Sequence, residues 1–221
     1  MTSMTAGAAT VSTPSTVKTL LTCGVLAGPL YLAVGLAQAL ARDGFDIRRH
    51  PLSVLSNGDL GWIQIGNFVV SGLLVIAAAI GLGRALTAGP GRVWGPRLVA
   101  GYGVGLIAAG AFVADPFDGF PVGTPAGPAD STSWHGVAHF AAGGIGFFAL
   151  IGACFVFARR FAALGRRGWA GYSAATGVLF FAAFVGISSG NPNAAILLAF
   201  TAAVILGWTW LALICTDTMR N

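Results

Sequence analysis

Charge is the scarcest commodity in this sequence. Lys, Arg, Asp and Glu supply 9% of its 221 residues, where a soluble globular domain carries roughly 25%. With 56% of residues hydrophobic and a mean hydropathy of +0.80, a water-soluble fold would have nowhere to hide its apolar surface. Cysteine is also rare. Cys23, Cys154 and Cys215 are an odd number and lie inside apolar stretches, which excludes a disulfide framework and leaves small core residues. No continuous run of basic residues exists, because the twelve Lys and Arg are scattered between apolar blocks. A nucleic-acid partner is therefore not expected. Repeats on the order of 20 to 50 residues are missing as well, which counts against an inverted-repeat transporter.

What the sequence has is long apolar segments. A helix needs about 20 apolar residues to cross the hydrocarbon layer. Six stretches meet or approach that: Thr19 to Ala41, Leu60 to Gly83, Leu98 to Ala114, Trp134 to Ala158, Trp169 to Ser188 and Ala194 to Thr216. The third is short, and its ends are expected to extend through Trp94 and Pro116, leaving Asp115 at the helix end. A polar Ser/Thr/Ala tail, residues 1–16, precedes a six-helix membrane domain over 17–217. Ala37-Gln-Ala39 resembles a signal-peptide cleavage site, but the apolar stretch before it is too long for one and Lys18 is its only basic residue. Trp62, Trp94, Trp134 and Trp169 sit at segment ends, where aromatic belts form. Gly101, Gly103 and Gly105, with Gly143, Gly144 and Gly146, read as close-packing surfaces on the third and fourth helices.

The loops set an orientation. Arg84, Arg92 and Arg97 occupy the second connection, and Arg159, Arg160, Arg166 and Arg167 the fourth, with no acid in either. Lys18 and Arg220 bring that side to nine of the twelve basic residues, which makes it cytoplasmic. The expected architecture is all-α: a six-helix bundle in the plasma membrane, both termini cytoplasmic.

All three histidines and six of the seven acids then fall on the extracytoplasmic side. His135 and His139, four apart, share a helix face. His50 opens the run His50-Pro-Leu-Ser-Val-Leu-Ser56, and Pro51 to Leu60 reads as a short amphipathic stretch at the interface. Three imidazoles around Zn²⁺ leave a fourth position for a water whose pKa falls to about 7. His50, His135 and His139 are the candidate ligands. Asp115 is the candidate base, Ser53 a candidate to polarise a carbonyl, and Asp46 and Asp118 are reserve carboxylates. Gln64, Asn67 and Ser71 form a polar stripe on the second helix, serving either as a pocket wall or as interhelical hydrogen bonds. Asp46 is grouped with this pocket, whereas Asp118 and Asp130 read as solvated loop acids. Ser131 or Ser133 caps the fourth helix. The Glu of a His-Glu-x-x-His motif is lacking, so the metalloprotease pattern is excluded.

The run Phe45-Asp-Ile-Arg-Arg-His-Pro-Leu-Ser-Val-Leu-Ser-Asn-Gly-Asp-Leu-Gly-Trp-Ile-Gln-Ile-Gly-Asn-Phe68, with Phe112-Val-Ala-Asp-Pro116, Trp134-His-Gly-Val-Ala-His139 and Phe157-Ala-Arg-Arg-Phe161, resembles a family of bacterial six-helix membrane proteins filed as a domain of unknown function and common in actinobacteria. The resemblance implies a six-helix fold and the plasma membrane, and it implies no reaction. The order His50, Asp115, His135, His139 is also similar to the alkaline ceramidase and progestin/adiponectin-receptor superfamily of membrane hydrolases. Against that likeness, Ser53 follows its histidine and a seventh helix is lacking. One reading is a zinc-dependent hydrolase of a lipid or amphipathic substrate. The other is a non-enzymatic binder of lipid or small molecule, a carrier or an assembly partner, whose polar groups are structural. An isoprenoid-handling enzyme using Asp46 and Asp115 without metal is a third reading.

Overall fold

A computed structural model describes residues 14–127, 131–190 and 193–220. These residues form six α-helices: α1 (Ser15–Ala41), α2 (Gly61–Ala85), α3 (Trp94–Ala111), α4 (Trp134–Ala163), α5 (Arg167–Ile187) and α6 (Ala194–Arg220). A single 3₁₀ turn spans Leu52–Ser56. Five helices are long and apolar enough to cross a membrane, α3 being the exception. Its 18 residues include Pro96, Arg97 and several glycines, which dilute its hydropathy. Of the polar tail expected at 1–16, residues 1–13 lie outside the described residues, and Ser15 and Thr16 already belong to α1.

Each helix packs on its neighbours in chain order, and α6 returns to α1, so the six close into a ring. Glycine sets the closeness on one arc of that ring. A Cβ at Gly72 would strike the Gly103 carbonyl, and one at Gly105 would strike the Gly146 backbone, so α2, α3 and α4 touch main chain to main chain. Gly24 likewise admits Cys215 between α1 and α6. Gly143 departs from the expected packing role, because a Cβ there would meet nothing within 4 Å.

The two ends of the ring differ. At the end that carries the arginine-rich connections, the interior is solid: Leu21, Val99, Cys154, Trp210 and Ile214 are wholly buried. Trp210 Nε1 donates to Ser173 Oγ at 3.0 Å, and Arg166 forks onto Asp217 to tie α5 to α6. At the opposite end, the described residues of connections 42–60 and 112–127 fold over the helices. In the stretch Pro51 to Leu60, Leu52, Val54 and Leu55 are buried against the bundle, while Gly58, Asp59 and Leu60 are exposed. Trp62, Trp94 and Trp134 are exposed at helix ends as an aromatic belt requires. Trp169 differs, stacking on Phe161 at 5.4 Å under the Arg166 guanidinium.

Candidate functional site

Helix α3 ends at Ala111, four residues before the expected Asp115. The reason is local. Phe112 is extended and leads into Asp115-Pro116, where proline disfavours helical geometry in the residue before it. The orphan carbonyls at this helix end are taken by His139, whose Nδ1–H is shared between Ala109 O at 2.8 Å and Phe112 O at 2.7 Å. In the neutral ring that leaves Nε2 as an acceptor, and it makes no hydrogen bond among the described residues. His135 does the same one turn earlier, its Nδ1–H donating to Val113 O at 2.8 Å, with Asp115 Oδ1 3.8 Å away.

Asp115 is held at the start of α4. Ser133 caps that helix, its Oγ accepting from Gly136 N at 2.9 Å. The Asp115 carboxylate accepts from Ser133 N at 2.9 Å and from Ser133 Oγ at 2.5 Å. Gly136 is required here, since any Cβ would overlap the carboxylate.

His50 sits elsewhere. Its ring is fully buried between Phe45 and Phe120. Nδ1 accepts from Asp46 N at 2.9 Å and Nε2–H donates to Asp118 O at 3.0 Å. Both ring nitrogens are thereby engaged by backbone, and neither is available to a metal without breaking the loop. Among the described residues no three of His, Cys, Asp and Glu are grouped to hold an ion. The three imidazoles expected around one zinc are not brought to one point.

Asp118, expected as a solvated loop acid, is partly exposed and is also ion-paired. Arg49 grips its carboxylate with two bonds of 2.9 and 2.8 Å, and Gly127 N donates to it at 2.7 Å. These donors hold the carboxyl down at about 2. Asp118 adopts a left-handed φ of 46°, which Asp tolerates better than most residues. The result is a clasp between the first and third loops. Asp46 belongs to the same loop: Oδ1 accepts from Arg48 N, and the residue does not line the cavity described next. Asp130 lies outside the described residues.

Inside the loop-bearing end of the ring is a cavity of about 670 Å³, well within the range of small-molecule sites. Phe68, Phe140, Phe147, Phe184 and Phe200 make much of its wall. Gly143 and Gly144 widen it, Tyr31 and Tyr102 lie towards its base, and Trp208 packs beneath both at 5.2 and 5.4 Å. Three of the residues singled out from sequence, Ser53, Asp115 and His139, line this space together. His50, His135, Gln64, Asn67 and Ser71 do not. The amide stripe is buried and joins helices instead: Gln38 Nε2 donates to Gln64 Oε1 at 2.9 Å and Asn67 Nδ2 to Tyr31 O at 3.1 Å. Ser71 Oγ donates to Asn67 Oδ1 at 3.4 Å.

The phenylalanine wall carried no signal in the sequence, because an apolar helix residue reads alike whether it faces lipid, a neighbour or a void. One clue was present. Gly143 comes one turn after His139, and a Cβ there would meet nothing within 4 Å, whereas one at Gly144 would touch Phe184.

A family model described as protein of unknown function (DUF998) matches residues 25–217. No curated protein and no solved structure matches the chain.

Proposed function

We propose that this chain, which belongs to the family of proteins of unknown function (DUF998), crosses the plasma membrane six times with both termini cytoplasmic and binds one largely apolar molecule in the cavity on its extracytoplasmic side. The observation that carries the reading is the cavity itself: wide, walled by phenylalanine, glycine and aliphatic side chains, and blind. Its base is closed by Tyr31, Tyr102 and Trp208, and the half of the ring below is filled. A carrier needs a route through that half, so binding is preferred to transport. Binding is also preferred to zinc-dependent hydrolysis, because the His50 nitrogens are both engaged by backbone.

The sixth crossing is α3. Its 18 residues span about 27 Å, slightly less than a hydrocarbon layer of about 30 Å. It lies in the ring between α2 and α4, both long enough to cross, and Arg97 can reach the interface over the Trp94 ring, 5.6 Å away. The orientation follows from the arginine-rich connections. A cysteine placed at Thr124 should react with an impermeant thiol reagent on intact cells, and one at Arg92 only after the membrane is opened. The reverse pattern would invert the topology.

The cavity is tested by filling it. Protein extracted in mild detergent should carry an apolar or amphipathic molecule, found by mass spectrometry at close to one per chain. Gly143 lines the cavity and a Cβ there meets nothing within 4 Å, so Gly143→Leu takes up part of the space. It should keep the thermal midpoint while reducing the bound molecule about tenfold. A Gly143→Leu protein that retains the full complement would sink the proposal.

A further inference from the structure

The cavity has a polar mouth of one character. Among the described residues, Asp115 is the only charged side chain lining the cavity, and no Lys or Arg lines it. His139 is the other ionisable group there. It is nine-tenths buried, with Nδ1–H fixed on the α3 carbonyls and Nε2 without a partner among the described residues. In the neutral ring, Nε2 presents a lone pair. The start of α4 would ordinarily attract an anion through its free N–H groups and dipole. Here the protein's own carboxylate occupies that position: Asp115 takes Ser133 N and Oγ, and Ser133 Oγ takes Gly136 N. Ser53 and Thr132 add only neutral hydroxyls.

A ligand head in this mouth therefore meets a negative charge and the His139 acceptor, with hydroxyls that can donate or accept and no cation. A phosphate or carboxylate would be desolvated beside Asp115 with no cation to compensate it, at high cost. A head that donates hydrogen bonds can satisfy both Asp115 and His139 Nε2, and a positively charged one gains Coulomb attraction besides.

We infer that the cavity selects amphiphiles whose head is a hydrogen-bond donor without negative charge, a protonated primary amine first and an alcohol second, with the apolar body lying along the phenylalanine wall. This inference rests on the cavity-binding reading. It adds the head chemistry, which the size of the cavity alone does not determine.

Dodecylamine, dodecanol and dodecanoate share one chain and differ only in the head. Each is titrated into the full-length protein in nanodiscs of a neutral lipid at pH 7, and affinities are compared at equal concentration in the bilayer. Dodecylamine should bind about tenfold or more tighter than dodecanoate, with dodecanol between them. Asp115→Asn keeps an oxygen acceptor for Ser133 and removes the charge. It should bring amine and carboxylate within about threefold of each other while leaving dodecanol within about twofold of its parent value. Dodecanoate binding as tightly as the amine in the unaltered protein would overturn the inference, and that comparison does not depend on the variant folding. A ranking that survives Asp115→Asn would overturn it too. Failure of all three probes to bind, or binding unaffected by Gly143→Leu, would instead remove the cavity reading and this inference with it.

Discussion

A Gly105→Leu protein should be recovered poorly from membranes and should unfold at a markedly lower temperature than its parent. At this position an added Cβ would meet Gly146 Cα, Ala142 O and Gly146 N, all main chain and none able to rotate aside. Helices α3 and α4 would have to separate along the contact that also frames the cavity wall. Overpacking of this kind costs about 3 kcal/mol or more where the backbone must shift. Gly171→Ala on α5 is the control, since a Cβ there meets nothing within 4 Å. It should stay within about 1 kcal/mol of the parent. Thermal unfolding followed by size-exclusion chromatography in detergent separates the two. Equal midpoints would show that the α3–α4 contact is looser than described.

His50→Ala is expected to be the most damaging change among the polar residues. It leaves Asp46 N without its partner, removes one of the two donors to Asp118 O, which keeps Arg49 Nη2 at 2.9 Å, and opens a void between Phe45 and Phe120. The orphaned N–H costs about 1–3 kcal/mol and the void left by the ring adds to it, so a loss of about 3 kcal/mol is expected once the loop relaxes. The same measurement discriminates the role of the ring. A loop tie gives a midpoint that falls in the variant and does not move when a chelator is added to the parent. A metal ligand gives a chelated parent that resembles the variant.

The helices were legible because six apolar segments separated by Arg, Asp, Pro and Gly leave little choice of element. Their ends were less so. The α3 end is set locally by the approach to Asp115-Pro116, but its carbonyls are capped by His139, almost thirty positions later. The Ser133 cap, by contrast, is a local device and was among the two expected from its neighbours alone. At the site, Ser53, Asp115 and His139 could be singled out because polar groups are rare in such a chain. That His50 belongs to a different structure could not, since a shared side of the membrane says nothing about distance within it. The Arg49–Asp118 clasp was missed for the same reason: pairing across 69 residues has no periodicity to betray it.

The ring closes between its first and sixth helices, where Gly24 admits Cys215 and Tyr31 stacks on Trp208. During synthesis those partners emerge at opposite ends of translation. Helix α1 must wait in the bilayer, its glycine face bare, while four others are inserted. Tyr31 has no lid of indole until the ribosome has passed Trp208, so the base of the cavity is the final part to be assembled. A chain stalled after α5 is consequently not a smaller version of the protein but an open trough. Its exposed small-residue surface offers itself to any passing helix, and to the proteases that clear unfinished membrane proteins.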